Sequence, residues 1–385
     1  MQAALNGYSN WRVKTMNSIV LNKDRVRIGK LAVSVYTIPT DRPESDGTLE
    51  WDSTTVVLVE VNAGGKEGLG YSYADQASAT IIQRVLAKAI SGCNALNIPE
   101  CWQSMVRSVR NLGRSGVASC AISAVDSALW DLKARLLGIS LTHLFGAVRK
   151  SVAVYGSGGF TSYSEDQLVE QMRGWVDQGI QQVKMKIGRN ALADRARVKL
   201  VREAIGNDTK LFVDANGAYS RKQSLEQAEH FAESGVSWFE EPVSSDDLEG
   251  LRLIRDRAPT GIEIAAGEYG YNAIYFQRMI AAGAVDVLQA DATRCEGYTG
   301  FLQASVLCQA NQIPLSAHTA PSLHSHVCCS AIPVRHIEYF HDHVRIEQLL
   351  FDGLPELRNG ELHPDFSRPG NGLELKLADA KKFAA

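Results

Sequence analysis

From residue 151 onward, short apolar runs that resemble β-strands alternate with runs that resemble helices, and the unit recurs about every 22 to 30 residues. The eight strand candidates are VAVYG, QVKMKIG, LFVDAN, SWFEEP, EIAAGE, DVLQAD, IPLSAH and HIEYF. Helical periodicity follows the early ones, as in EDQLVEQMRGWVDQG and RKQSLEQAEHFAESG. Eight strands in such an alternation predict a closed α/β barrel of parallel strands, since an open doubly wound sheet would usually be shorter.

The rest of the 385-residue chain is long enough for an accessory domain. RIGKLAVSVYTIPT and TTVVLVEV predict two strands, and the polar segment DRPESDGTLEWDS between them predicts a long loop that acts as a lid. ASCAISAVDSALWDLKARLLG predicts a helix that ends at Gly138. We therefore predict an N-terminal extension (1–26), an α+β domain (27–150) and the barrel (151–350).

Composition narrows the class of partner. Apolar residues make up 45% and charged residues 22%, and the net charge of −3 favours neither nucleic acid nor an anionic membrane. No apolar run approaches a transmembrane length, and the N-terminus lacks a signal-peptide pattern, so we predict a cytoplasmic protein with a small-molecule substrate. The seven cysteines form no CxxC pair, which argues against disulfides and a zinc knuckle.

Polar or ionisable side chains stand at the end of almost every predicted strand. In a barrel of this kind, the carboxyl ends of the strands form the mouth of the active site, whereas the interior is filled with apolar side chains. A purely structural role explains such a convergence poorly. The residues at the predicted mouth are Ser157, Lys184, Lys186, Asp214, Glu240, Glu268, Asp291, His318 and Glu338.

Lys184 and Lys186 are two residues apart in VKMKIG and therefore project from the same face of their strand. An edge strand with a solvated face would also carry such lysines. The other acids at the mouth favour a catalytic pair. Beside a metal-bound substrate, one ammonium stabilises negative charge, while the other, its pKa lowered by the cation and by burial, acts as a base.

Asp214, Glu240 and Glu268, the acid trio, end three successive strands at spacings of 26 and 28 residues. Neighbouring strands lie about 4.8 Å apart, so the three carboxylates would repel each other unless a cation lay between them. An all-oxygen ligand set favours Mg²⁺ or Mn²⁺ over zinc. Glu241 follows Glu240 and is predicted to face the outer or rim side, because adjacent residues of a strand face opposite ways.

Asp291 and His318 end consecutive strands on the opposite side of the predicted barrel. A carboxylate bound to one ring nitrogen fixes the tautomer and leaves the other nitrogen free to transfer a proton. The pair therefore predicts an acid or base together with the group that orients it. Ser157, Asn216 and Glu338 are candidates to hydrogen-bond a substrate carboxylate or hydroxyl, although Ser157 and Asn216 suit a structural role equally well.

Four further histidines occur in SLHSH and FHDHV. We predict that they are loop and interface residues rather than metal ligands: His324, His326, His341 and His343.

The motifs VKMKIG, VDAN, WFEEP, AAGE and HIEYF, in this order and with the Asp291 and His318 pair, resemble the mandelate racemase subgroup of the enolase superfamily. SAVDSALWDLKARLLG resembles that family's N-terminal signature, and the likeness runs from about residue 28 to the C-terminus. The resemblance implies an α/β fold in which an N-terminal α+β capping domain covers a modified (β/α)7β TIM barrel. It also implies that residues 351–385 pack back on the cap and that the chain forms a homo-oligomer, an octamer or a dimer.

The resemblance further implies a role for each site residue. The acid trio would hold Mg²⁺, with Mn²⁺ as a possible substitute. Lys186 would be one base and Lys184 its electrophilic partner, whereas His318 with Asp291 would be the opposite acid or base. Glu338 would hydrogen-bond the oxygen of the enediolate.

The predicted lid loop, TIPTDRPESDGTLEW (37–51), is rich in polar side chains and ends on Trp51, a further candidate substrate contact. A polyhydroxylated acid would find many hydrogen-bond partners there, and an apolar acid few. We therefore predict abstraction of an α-proton from a carboxylate substrate, followed by dehydration of a sugar acid to a 2-keto-3-deoxy acid. A racemase or epimerase of a 2-hydroxy acid and a lactone cycloisomerase remain alternatives, and a non-catalytic binding protein is a remote one.

Overall fold

The structure is a computed structural model and describes residues 26–385. The predicted N-terminal extension, residues 1–26, lies outside the described residues except for Val26. The cap contains a three-stranded antiparallel sheet: β1 (Leu31–Ser45), β2 (Glu50–Ala63) and β3 (Lys66–Tyr73). Its helices are α1 (Ala77–Ile81), α2 (Ala87–Ile90), with the π-helical Ile82–Leu86 between these two, α3 (Ile98–Ser108), α4 (Val117–Leu137) and α5 (Leu141–Phe145).

The segment predicted to be a lid loop is instead the end of a β-hairpin. Strands β1 and β2 run on through it, with a register shift between Pro39 and Glu44 that absorbs the proline. The turn closes because Asp46 Oδ1 accepts hydrogen bonds from the backbone N–H groups of Thr48 (2.6 Å) and Leu49 (2.7 Å). We call residues 37–54 the hairpin tip.

Eight parallel strands form the barrel, and pairing of the last strand with the first closes it, which confirms the predicted fold. The strands are β4 (Val152–Gly158), β5 (Gln182–Lys186), β6 (Lys210–Asp214), β7 (Val236–Glu240), β8 (Glu263–Ala266), β9 (Val287–Ala290), β10 (Leu315–Ala317) and β11 (Val334–Phe340). The helices are α6 (Glu165–Asp177), α7 (Ala191–Ile205), α8 (Arg221–Glu233), α9 (Leu248–Arg257), α10 (Ala273–Ala281), α11 (Gly297–Ala310), α12 (Pro321–Cys328) and α13 (His341–Leu350).

The period of two along each strand separates an apolar floor from the charged mouth. Phe212 and Trp238 stack inside the barrel with their ring centroids 5.2 Å apart, and both are buried. Two residues further along the same strands come Asp214 and Glu240, on the same face. The aromatic layer therefore lies below the acids, as the layered filling of such barrels requires.

The C-terminal segment consists of short elements: β12 (Phe351–Asp352), β13 (Glu356–Arg358), β14 (Glu361–His363), β15 (Glu374–Leu375), α14 (Leu377–Ala380) and the 3₁₀ turn Lys381–Phe383. It touches the cap where Asn371 Nδ2 donates to the Leu69 carbonyl (2.9 Å) and where the Ala385 N–H donates to the Val35 carbonyl (3.1 Å). All seven cysteines are free thiols. Among residues 26–385, no helix has the length and apolar character needed to cross a membrane.

Candidate active site

Lys184 is fully buried in the centre of the barrel mouth. Its Nζ lies 2.6 Å from Glu240 Oε1, 2.8 Å from Glu338 Oε1 and 3.3 Å from Asp214 Oδ2. Burial alone would lower the pKa of this ammonium, but the carboxylates of Glu240 and Glu338 outweigh it and raise the pKa well above its usual value. Lys184 is therefore a fixed positive charge.

Lys186 lies nearer to solvent, on the wall of the cavity. Its Nζ donates to Asp214 Oδ2 at 2.6 Å and to Asn216 Oδ1 at 3.1 Å. Burial favours the neutral amine, as the sequence suggested, but Asp214 outweighs burial, so that the pKa is raised rather than lowered. The edge-strand alternative for the two lysines is excluded, because β5 pairs with a neighbour on each side.

The acid trio converges as predicted from the strand ends. One carboxylate oxygen from each of Asp214, Glu240 and Glu268 lies within 4.8 Å of the other two, and all three side chains are buried. Burial and the adjacent Asp214 raise the pKa of Glu240 to about 8, because both oppose a further negative charge here. A buried, all-oxygen set of this kind fits Mg²⁺.

Unusual backbone conformations bring these acids together. Gly267 precedes Glu268 with φ of 136°, and a methyl group at this position would collide with the carbonyl of Gln289. Asn216 and Glu241, which follow two neighbouring strands, also have positive φ values of 46° and 38°. Such strain in non-glycine residues is concentrated at functional sites.

The alternation of strand residues predicted that Glu241 faces the outer or rim side. The structure shows that this prediction is wrong. The left-handed backbone of Glu241 turns the chain immediately after β7, so its side chain is buried, with only 1% exposed. Burial and the nearby carboxylate of Glu268 raise its pKa well above the usual range. Its Oε1 has no hydrogen-bond partner among residues 26–385.

His318 and Asp291 form the predicted pair on the opposite wall. His318 Nδ1 lies 2.9 Å from Asp291 Oδ2, whereas Nε2 lies 3.2 Å from Glu268 Oε2 and 3.7 Å from Glu338 Oε2. Burial alone would lower the pKa of His318, but Glu268 and Glu338 together raise it to about 9. The imidazolium is therefore the main form of His318 at neutral pH.

Glu338 is held from behind by hydrogen-bond donors. Ser157 Oγ donates to its Oε1 at 2.5 Å, and the backbone N–H of Thr319 donates to its Oε2 at 3.1 Å. Glu338 lines the cavity, but Ser157 does not. Ser157 thus orients Glu338, and the structure does not bring it to the substrate side.

The cavity above these groups has a volume of about 410 Å³ and lies between the barrel mouth and the cap. Two predicted substrate contacts, Trp51 and Asn216, line it. The hairpin tip contributes further wall residues on the cap side: Asp46, Leu49, Ser53 and Thr54. Gly47 docks the tip directly on the barrel, since an added Cβ there would lie 2.7 Å from the Ile187 carbonyl oxygen.

Sequence reasoning missed Arg294 and Tyr269, which also line the cavity. The Arg294 guanidinium lies 5.2 Å from the centroid of the Tyr269 ring, and its Nη1 lies 3.3 Å from Glu268 Oε1. Both residues stand just beyond a strand-end acid, Tyr269 one residue after Glu268 and Arg294 three residues after Asp291. The sequence signal for both residues is therefore their position within three residues after a strand-end acid.

The four additional histidines lie on helices, so the loop assignment was wrong. Proline at the first position starts α12, and His324 and His326 are buried within it. His324 Nε2 accepts a hydrogen bond from the backbone N–H of Ala292 at 2.8 Å, next to Asp291. His341 and His343 belong to α13, and His343 also lines the cavity.

Two family models match the chain. Residues 32–146 match the mandelate racemase/muconate lactonizing enzyme N-terminal domain, and residues 167–380 match the enolase C-terminal domain-like family. The chain belongs to the mandelate racemase/muconate lactonizing enzyme family of the enolase superfamily.

Individual members of this family resemble the chain over almost its full length. A 3,6-anhydro-alpha-L-galactonate cycloisomerase of Streptomyces coelicolor is 32% identical over 93% of this chain and 99% of its own. A mandelate racemase/muconate lactonizing enzyme-like protein of Rubrobacter xylanophilus is 53% identical, with a TM-score of 0.91 over 93% and 100% of the two chains. An L-talarate/galactarate dehydratase of Salmonella typhimurium, solved with Mg and L-lyxarohydroxamate, is 27% identical, with a TM-score of 0.86 over 100% and 97%.

The curated relatives as a group include sugar-acid dehydratases, cycloisomerases and an epimerase. Magnesium is present in solved structures of the family. The cofactor expected from the buried acid trio is thus the cofactor of the family.

Proposed function

We propose that this enolase-superfamily member dehydrates a sugar acid to a 2-keto-3-deoxy acid. One observation carries the proposal: Lys186 and His318 line the same cavity, and each contacts a different member of the acid trio. A substrate carboxylate held at the trio would place its α-carbon between an amine and an imidazolium. That arrangement suits removal of a proton by one group and delivery of a proton by the other.

In the proposed reaction, Lys186 as the neutral amine accepts the α-proton, and the Lys184 ammonium, which Glu338 holds in place at 2.8 Å, stabilises the resulting enediolate. His318, with its Nδ1 held 2.9 Å from the Asp291 carboxylate, acts as the imidazolium and protonates the 3-hydroxyl as the C3–O bond breaks. Water leaves, and the remaining enol tautomerises to the 2-keto-3-deoxy acid. When bound by the trio, Mg²⁺ would supply positive charge that lowers the pKa of the substrate α-proton and weakens the attraction of the Asp214 carboxylate for the Lys186 ammonium.

The hairpin tip supports a polyhydroxylated substrate. Asp46, Ser53 and Thr54 bring hydroxyl and carboxylate groups to the cap side of the cavity, opposite the catalytic groups. A site lined with hydrogen-bonding groups discriminates strongly against ligands that leave them unpaired. Relatives named L-talarate/galactarate dehydratase and arabinonate dehydratase fit the same substrate class.

Cycloisomerisation is the second candidate, favoured by the cycloisomerase relative that is 32% identical over 93% of this chain. It would share the catalytic carboxylates and the two proton-transfer groups but would produce no 2-keto acid by loss of water. An epimerase would instead return a proton to the opposite face of the α-carbon.

A panel of aldonic, aldaric, uronic and anhydro sugar acids, incubated with the protein and Mg²⁺ in D₂O, separates these outcomes. NMR would follow the α-proton, and semicarbazide would detect 2-keto acids. We expect a 2-keto-3-deoxy product that disappears with a chelator and returns with added Mg²⁺. Deuterium at an inverted α-carbon without a keto acid, or a rearranged anhydro acid, would overturn the dehydratase assignment.

A further inference from the structure

A second group of potential metal ligands lies between the cap and the barrel. It consists of Asp41 and Glu44 from β1 and His341 from the start of α13. One ligand atom from each of these residues lies within 4.8 Å of the other two. The group shares no residue with the acid trio, and it differs in composition because it includes an imidazole.

Glu44 is the unusual member of this group. It is only 1% exposed although it sits on the edge of a hairpin, and its Oε2 accepts a hydrogen bond from Trp51 Nε1 at 2.8 Å. Its other oxygen, Oε1, has no hydrogen-bond partner in the described part of the chain. A buried carboxylate oxygen without a hydrogen-bond partner is destabilising, which favours the presence of a compensating group.

The neighbouring charges do not supply that compensation. The Arg345 guanidinium donates instead to Asp342 Oδ1 and to the Pro39 carbonyl, both at 2.6 Å. Asp342 also accepts from Thr54 Oγ1 at 2.5 Å and adds negative charge beside Glu44. Arg345 is therefore paired with Asp342, and Glu44 Oε1 remains without a partner among the described residues.

We infer that Asp41, Glu44 and His341 bind a divalent cation of the Zn²⁺ type, distinct from the Mg²⁺ of the acid trio. One imidazole nitrogen with two carboxylates is a ligand set that suits zinc, whereas Mg²⁺ prefers oxygen ligands and water. His341 Nε2 already lies 3.1 Å from Asp41 Oδ2, so small side-chain shifts would bring both to a shared ion.

Such an ion would tie the hairpin tip to the barrel. Two of its ligands belong to the cap and the third belongs to the helix that follows β11, the strand carrying Glu338. Through the hydrogen bond from Trp51 to Glu44, the ion would also steady one wall of the substrate cavity. The cation would therefore clamp the cavity without taking part in the chemistry.

Zinc content after equilibrium dialysis in excess Mg²⁺ tests the site on the full-length protein. We expect about one Zn²⁺ per chain in the wild type and in Glu268→Gln, which alters the acid trio alone. His341→Ala and Asp41→Asn, both at accessible side chains, should weaken Zn²⁺ binding at least tenfold. His363→Ala, a change of a histidine outside the group, is the matched control and should bind as the wild type does.

Loss of Zn²⁺ from Glu268→Gln, or unchanged binding in His341→Ala and Asp41→Asn, would overturn the assignment. In the first case the zinc would belong to the acid trio, and in the second to neither site. Amide hydrogen exchange provides a second readout that does not depend on activity. Zn²⁺ should slow exchange across residues 41–51 in the wild type and in His363→Ala but not in His341→Ala, and equal exchange in all three would contradict the clamp.

Discussion

The barrel mouth and the hairpin tip face the same cavity but are built in opposite ways. At the mouth, Lys184, Asp214 and Glu240 are fully buried. Lys184 Nζ lies 3.3 Å from Asp214 and 2.6 Å from Glu240, and the two acids stand in register on neighbouring strands. At the tip, Leu49 is 61% exposed, and the polar side chains that line the cavity come from the turn, as Asp46 does, and from the adjoining strand β2, as Ser53 and Thr54 do. In the proposed function, the chemistry rests on the strand ends of the barrel and the choice of substrate on the hairpin tip, which is the division expected for a scaffold that serves many reactions.

Removing the proposed base at the barrel mouth should lower turnover the most. We expect Lys186→Met to lower kcat by about 10²–10⁴-fold, because general-base catalysis contributes on that scale. Mg²⁺ affinity measured by calorimetry should remain, since Lys186 is not one of the acid trio. Lys199→Met, on the exposed face of α7, is the matched control, and turnover by Lys186→Met equal to that of this control would refute the role.

Removing a proposed metal ligand should affect binding as well as turnover. Glu268→Gln keeps the shape of the side chain but removes its charge from the acid trio. We expect Mg²⁺ affinity to fall by more than about tenfold, given that even the outer partners of metal ligands are worth about 10–100-fold. Calorimetry should show no such loss for Glu249→Gln, which changes an exposed acid, and equal Mg²⁺ affinities would remove Glu268 from the site.

Changing the tip should affect substrate choice more than chemistry. We expect Trp51→Ala to lower kcat/KM by about 10–100-fold through KM, since losing apolar and hydrogen-bonding contacts costs about 1–3 kcal/mol. Asp52→Ala on the same strand changes an exposed residue that does not line the cavity and serves as the control. A fall in kcat alone would mean that the tip takes part in the chemistry.

A buried histidine away from both regions gives a smaller, pH-dependent effect. Burial lowers the pKa of His326 to about 4, below the ordinary value of about 6.5. Because the folded protein favours neutral His326, this residue makes its full contribution to the free energy of unfolding above about pH 6.5. The contribution is lost as the pH falls towards 4. Between pH 7.5 and pH 5 this loss is about 2 kcal/mol in the free energy of unfolding.

Urea unfolding of the wild type and of His326→Asn at these two pH values measures the difference. The variant should lose about 2 kcal/mol less than the wild type on acidification. Equal losses would mean that His326 has a similar pKa in the folded and unfolded chains.

The contrast between mouth and tip also explains what the sequence could predict. Strand alternation and the recurrence of the βα unit located the acid trio, both lysines and the Asp291 and His318 pair, because register brings strand ends together. The buried position of Glu241 could not be predicted, because it depends on a positive φ that no local sequence pattern indicates. The strand conformation of the hairpin tip could not be predicted either. Its Pro, Asp and Gly residues are typical of a loop, whereas pairing between β1 and β2 makes it a hairpin.

The most direct test of the central claim is exchange of the substrate α-proton in D₂O, followed by NMR on the sugar acid identified in the panel. We expect Mg²⁺-dependent loss of the α-proton signal with the wild type and with Trp51→Ala at saturating substrate, and none with Lys186→Met. An α-proton lost equally fast with Lys186→Met, or without Mg²⁺, would contradict the claim.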